Sequence, residues 1–209
     1  MGFLNDLFGD EKPREMERGV GAAMPDCPVP FGYKTSWLCV KSDSPEEVIS
    51  ALGLKDPVLS GWKKGIAAGV FVSPVLDGYI LVINYGDDII TEDLERLDVI
   101  ARQFSEVQYF SSHRVAEYAA WVKYVGGEML RGYCWCGDEG EIYLNEGEIT
   151  AEEKALELDN LLQSTDDDWE TSKFADEENV LDIAAAWGID PRFSEKQYPE
   201  SMGWVCGMK

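Results

Sequence analysis

The chain has a single histidine, His113, in 209 residues. Cations are scarce too: 18 Lys/Arg stand against 40 Asp/Glu, a formal net charge of −22. Nucleic-acid recognition needs a basic footprint, and none is visible. The same shortage disfavours an anionic membrane surface. No apolar run approaches a membrane span, and no apolar signal region follows a basic start. The five cysteines are odd in number and irregular in spacing, which excludes a secreted disulfide framework. These absences make a reducing cytoplasm the expected compartment. Gly61, Gly65 and Gly69 lack the terminal Gly-Lys-Ser/Thr of a phosphate-binding loop and the spacing of a dinucleotide-binding turn. No motif calls for a cofactor.

What is present is a chain able to bury a sizeable core. Hydrophobic residues make up 45%, and seven tryptophans argue against disorder despite the charge. The charge is uneven. Residues 138–178 hold 16 Asp/Glu and 2 Lys/Arg, a net of −14. A concentrated acidic face steers a basic protein partner, and it also simply keeps a protein soluble.

Taken in order, residues 1–34 read as an N-terminal amphipathic segment and linker. Phe3, Leu4, Leu7 and Phe8 share one helical face, suited to docking on the body, on a partner or, weakly, on a membrane. Residues 35–191 read as an α+β domain with an antiparallel sheet and flanking helices. It divides into two β-α-β-β half-repeats, 35–88 and 89–149, and a helical part, 150–191. Residues 192–209 read as an irregular C-terminal tail. A strand is expected at 37–41. Ser44-Pro-Glu-Glu47 has the form of a helix start, with Ser44 as cap and Glu47 completing a capping box. Trp62 and Ile66 fit a short strand or loop among the glycines. Asp77-Gly78 between two β-rich runs is a hairpin signal, and Pro74 marks the first run as an edge or a bulge. Thr91 is the expected cap of a helix through Leu94, Leu97, Ile100 and Phe104. Residues 116–125 fit strand or helix, and their aromatics and the following Gly126-Gly127 favour strand. Thr150-Ala-Glu-Glu153 opens a further helix through Leu158, Leu161 and Leu162, and Asp176 caps the last one.

Three clusters invite chemistry. The first is His113 with Glu117, a candidate general base and its carboxylate, with Arg131 on the next strand to orient an anion. The same residues fit a polar corner of ion pairs, and no serine or cysteine at nucleophile-elbow spacing accompanies them. The second is Cys134-Trp-Cys136, whose thiols share one strand face. A zinc site asks for a second ligand pair that is missing, so no metal is assigned and buried thiols are expected. The third is Asp166-Asp-Asp168, which lacks the alternation and central glycine of a calcium loop. As binding residues the chain offers His113 and Arg114 at the corner, and Asp166, Asp167 and Asp168 in the acidic stretch.

The run Trp62-Lys-Lys-Gly65, Val70-Phe-Val-Ser-Pro74, Asp77-Gly-Tyr79, His113-Arg114-Val115, Arg131-Gly-Tyr133 and Ala184 to Pro191 resembles a family of uncharacterised bacterial proteins. The resemblance covers roughly residues 36–191 and implies no catalytic residues. Small acidic proteins of this kind include toxin-neutralising immunity proteins, an analogy of type. The expected function is therefore a non-catalytic protein-binding one, with a basic partner. The alternative is a hydrolase working through His113, Glu117 and Arg131.

Overall fold

The computed structural model describes residues 23–86, 89–158 and 174–208. Nine strands among them form one sheet in the order β2-β9-β3-β4-β1-β5-β6-β7-β8, and every neighbouring pair is antiparallel. The strands are β1 (Ser36–Lys41), β2 (Lys55–Ser60), β3 (Val70–Val72), β4 (Tyr79–Ile83) and β5 (Glu106–His113). They continue with β6 (Tyr118–Val125), β7 (Glu128–Cys136), β8 (Glu141–Gly147) and β9 (Gly203–Gly207). The helices are α1 (Pro45–Ala51), α2 (Trp62–Ala68), α3 (Ile89–Glu92), α4 (Leu94–Ala101), α5 (Ala151–Ala155) and α6 (Glu177–Trp187). The expected α+β class with an antiparallel sheet is what forms. None of the described helices is long and apolar enough to cross a membrane.

Side chains alternate across a strand, so β1 sends Trp37 and Cys39 one way and Leu38 and Val40 the other. Both sets are buried, and the central strands consequently read as nearly continuous apolar runs. One face packs Leu38, Val40, Tyr109 and Tyr124 beneath Val48 of α1 and Leu97 of α4. The other packs Trp37, Phe71, Phe110 and Trp121 beneath Val180, Leu181 and Ala184 of α6. Each fully buried side chain of this size contributes about 1.5–3 kcal/mol from burial alone.

Local signals explain several boundaries. Ser44 caps α1 by accepting from the Glu47 amide at 3.2 Å, with Pro45 in the first turn. Glu47 does not return the bond, so this cap is half of the expected box. Thr150 and Glu153 form both halves around α5, and Asp176 and Asn179 do so around α6. Asp77 and Gly78 both take positive φ, 52° and 83°, the backbone of a tight two-residue hairpin turn. The paired part of β3 ends at Val72, before Pro74, and β3 lies inside the sheet rather than at its edge. Residues 118–125 are strand β6. The hairpins β3–β4 and β5–β6 flank β1 on its two sides.

Further expectations need correction. Residues 62–68 are a helix, not a strand or loop. Gly65 obscures it by its poor helix propensity, yet a Cβ there would lie 2.3 Å from the Phe71 ring. Thr91 lies inside α3, and Asp93 precedes α4 in the N-cap position. The tail is irregular only as far as residue 202: β9 then inserts between β2 and β3, with Trp204 opposite both Leu59 and Val72. The described part of the linker is tied to the body. Asp26 pairs with Ser201, and its carboxylate accepts from the amides of Trp62 and, at 3.2 Å, Lys63. That carboxylate caps α2 in place of Gly61, which has no side chain to offer. Residues 1–22, with the amphipathic segment, lie outside the described residues.

Candidate acidic pole and its cavity

The antiparallel register places three segments at one end of the sheet. Tyr118 opens β6 opposite Cys136, which ends β7 and faces Glu141 of β8. The β5–β6 turn, residues 114–117, and the β7–β8 turn, residues 137–140, are therefore neighbours. Gly137 donates to Glu117 O at 3.2 Å, and Asp138 donates to Ala116 O at 3.2 Å. A Cβ on Gly137 would lie 2.5 Å from the Cβ of Glu117, so the two turns touch only because residue 137 is glycine. Glu117 itself takes φ +47°, a left-handed conformation that costs a non-glycine residue about 1 kcal/mol.

The first turn of α6 completes this end. Glu177 Oε2 lies 3.0 Å from Arg114 Nε, and Glu177 Oε1 accepts from the Arg114 amide, the Lys34 amide and Ser112 Oγ, each at 3.2 Å. Both oxygens of this mostly buried carboxylate are thus taken. Arg114 also stands over the Tyr33 ring at 5.7 Å. Tyr33 donates to Glu178 Oε1 at 2.8 Å, and that bond raises the phenol's pKa, with burial adding to it.

Between these segments lies a cavity of about 400 Å³. Its apolar wall includes Tyr118, Trp135 and Phe174. The Trp135 and Phe174 rings stack with centroids 3.7 Å apart and planes 4° from parallel. Its polar wall is Arg114, Glu117, Asp176, Glu177 and Glu178, four carboxylates to one cation. The Glu117 carboxylate makes no hydrogen bond or ion pair with a described residue. The same is true of Asp138, Glu139 and Glu141 beside it.

The structure brings Arg114 and Glu117 together at this cavity, whereas His113 is exposed at the end of β5 and does not line it. Arg131 does not join them. It pairs with Lys123, whereas His113 pairs with Tyr118, five residues away along β6 and about 16 Å at strand rise. Arg131 is instead fully buried against Glu153, which corrects the expectation that it faces His113. Asp166, Asp167 and Asp168 lie outside the described residues. Cys134 and Cys136 are both buried and outside any disulfide, and no group of three metal-binding side chains occurs among the described residues.

Sequence reasoning missed Trp135, Phe174 and Glu177 as wall residues. Glu177 lies 63 positions from Arg114, and no local pattern links them. The one available signal was charge: an arginine beside the acidic stretch needs a carboxylate partner. Comparison with known proteins finds no matching family model, curated protein or solved structure.

Proposed function

We propose that the protein is a cytoplasmic, non-catalytic binding protein whose acidic pole engages a basic protein partner. One observation carries this reading. Glu117, Asp138, Glu139, Glu141, Asp176, Glu177 and Glu178 converge from three chain segments on one end of the sheet. The α6 acids have a structural reason to be there, because carboxylates complement a helix N-terminus. Glu117, Asp138, Glu139 and Glu141 have no such reason and no described partner. Like charges gathered without compensation oppose folding slightly and attract cations over a Debye length. A basic toxin neutralised at this pole is a partner of that chemistry.

The test is co-purification from the native host at low and high ionic strength. The wild-type chain should retain a basic partner at low salt and lose much of it at high salt. A Glu117→Lys, Asp138→Lys, Glu139→Lys variant should retain none. Absence of any partner at either ionic strength overturns the reading, as does retention by the variant.

A further inference from the structure

We propose that the cavity at the acidic pole is a seat for one arginine side chain of the partner. The inference rests on the acidic-pole reading and adds the place and the recognised group. The charge around the cavity selects a cation, since four carboxylates face one arginine. That arginine cannot neutralise the set. Arg114 is held by Glu177 at 3.0 Å and over Tyr33, and it leaves Glu117 unpaired. Glu117 is exposed at the rim of the cavity, and its side chain lies against Gly137. That contact directs its unpaired carboxylate along the cavity wall, where an incoming cation can reach it.

The apolar wall then chooses between cations. A guanidinium is planar, weakly hydrated and stacks on aromatic faces, whereas an ammonium keeps its water more tightly. Trp135, Phe174 and Tyr118 supply an aromatic wall, and Glu117 supplies an acceptor for a charge-assisted bond. About 400 Å³ accommodates a guanidinium with its aliphatic stem. An anion would meet repulsion here, and an apolar ligand would strip water from carboxylates without replacing it.

The experiment is an amide-resolved NMR titration of the full chain with the peptide acetyl-Gly-Arg-Gly-amide at low ionic strength. The Trp135 indole and the amides of Glu117, Ala175 and Glu177 should shift and saturate. Glu117→Gln should weaken binding about tenfold, the size of one lost charge-assisted hydrogen bond. Glu139→Gln, outside the cavity, should change it less than twofold. The well-dispersed spectrum of each variant reports that it is folded. Shifts confined to residues 137–141, with both variants weakened equally, would overturn the seat and leave the acidic-pole reading standing. Equal or tighter binding of acetyl-Gly-Lys-Gly-amide would overturn the choice of arginine. No shift with either peptide would overturn the seat, and the acidic-pole reading would still stand or fall by the co-purification.

Discussion

Arg131 and Glu153 form an ion pair closed off from water: Nε lies 2.9 Å from Oε1, and both side chains are fully buried. The same carboxylate oxygen accepts from the Trp121 indole at 2.8 Å, and Oε2 closes the α5 capping box by accepting from the Thr150 amide at 2.7 Å. Arg131 also donates through Nη1 to Asn145 Oδ1 and to the Gly132 and Glu146 carbonyls, each at 2.9 Å. The pair therefore ties β7, β8 and α5 together, and its role is architectural.

Removing one member of such a pair strands the other charge in the core. Glu153→Ala should destabilise by about 3–5 kcal/mol in urea unfolding, read as a fall in the midpoint at constant slope. Arg131→Met with Glu153→Leu should recover part of that loss, because neither charge is then left alone. A loss below about 1 kcal/mol for Glu153→Ala would show that water reaches the pair.

The segment after α6 is held by carboxylates that titrate low. Lys196 Nζ lies 2.6 Å from both oxygens of Asp77, and this bond, aided by Tyr198, lowers the Asp77 pKa. Burial raises the Asp190 pKa, but the bonds from Arg192 and Ser194 outweigh it and leave the net shift downward. A depressed folded-state pKa adds stability above the unfolded value, about 3.9, and that stability is lost as pH falls through the folded one. Amides of residues 190–198 should therefore exchange faster at about pH 3 than at about pH 6 relative to the β5–β6 core. Lys196→Ala should move the Asp77 titration midpoint upward and leave that of Asp190 in place. An Asp77 midpoint in the ordinary carboxylate range in the wild type would contradict the docking.

Asp26 caps α2 from 36 residues upstream. Asp26→Ala should cost about 1 kcal/mol, in the range of helix-cap losses. It should also loosen the Asp26–Ser201 bridge, and with it the contact of Trp62 Nε1 to Ser201 Oγ at 3.0 Å. Thermal unfolding checks the first effect and tryptophan fluorescence the second. Asp26→Asn, which keeps an acceptor, should lose less than half as much.

Cys27 is exposed, while Cys39, Cys134, Cys136 and Cys206 are buried. Burial pushes the Cys39 and Cys206 thiols up, with the Glu106 charge adding to the effect at Cys39. The thiolate is the reactive form, so native protein should give one fast thiol with an aromatic disulfide reagent and five after denaturation. Cys27→Ser should abolish the fast phase. A second fast thiol in the native state would mean that one of the four buried sites opens.

The sequence by itself determined the elements whose signals are local. Short runs rich in β-branched and aromatic residues, the Asp77-Gly78 turn and the caps at Ser44, Thr150 and Asp176 each act within a few residues, so strands β1 and β4 to β8 and helices α1, α5 and α6 were legible. The acidic character of the pole was legible as well, because charge counts need no fold. Only the tertiary structure decided what depends on distant pairing. β9 carries glycine at both ends and no alternation, and it becomes a strand only because β2 and β3 offer open edges to it. α2 carries Gly65 for the sake of Phe71 and borrows its cap from Asp26. Arg131 could be foreseen as a charge near a sheet, but the register of β6 and β7 sends it to Glu153 and away from His113. The cavity at the pole needed the same register, which sets Glu117 on Gly137 and brings Glu177 to Arg114 from across the chain.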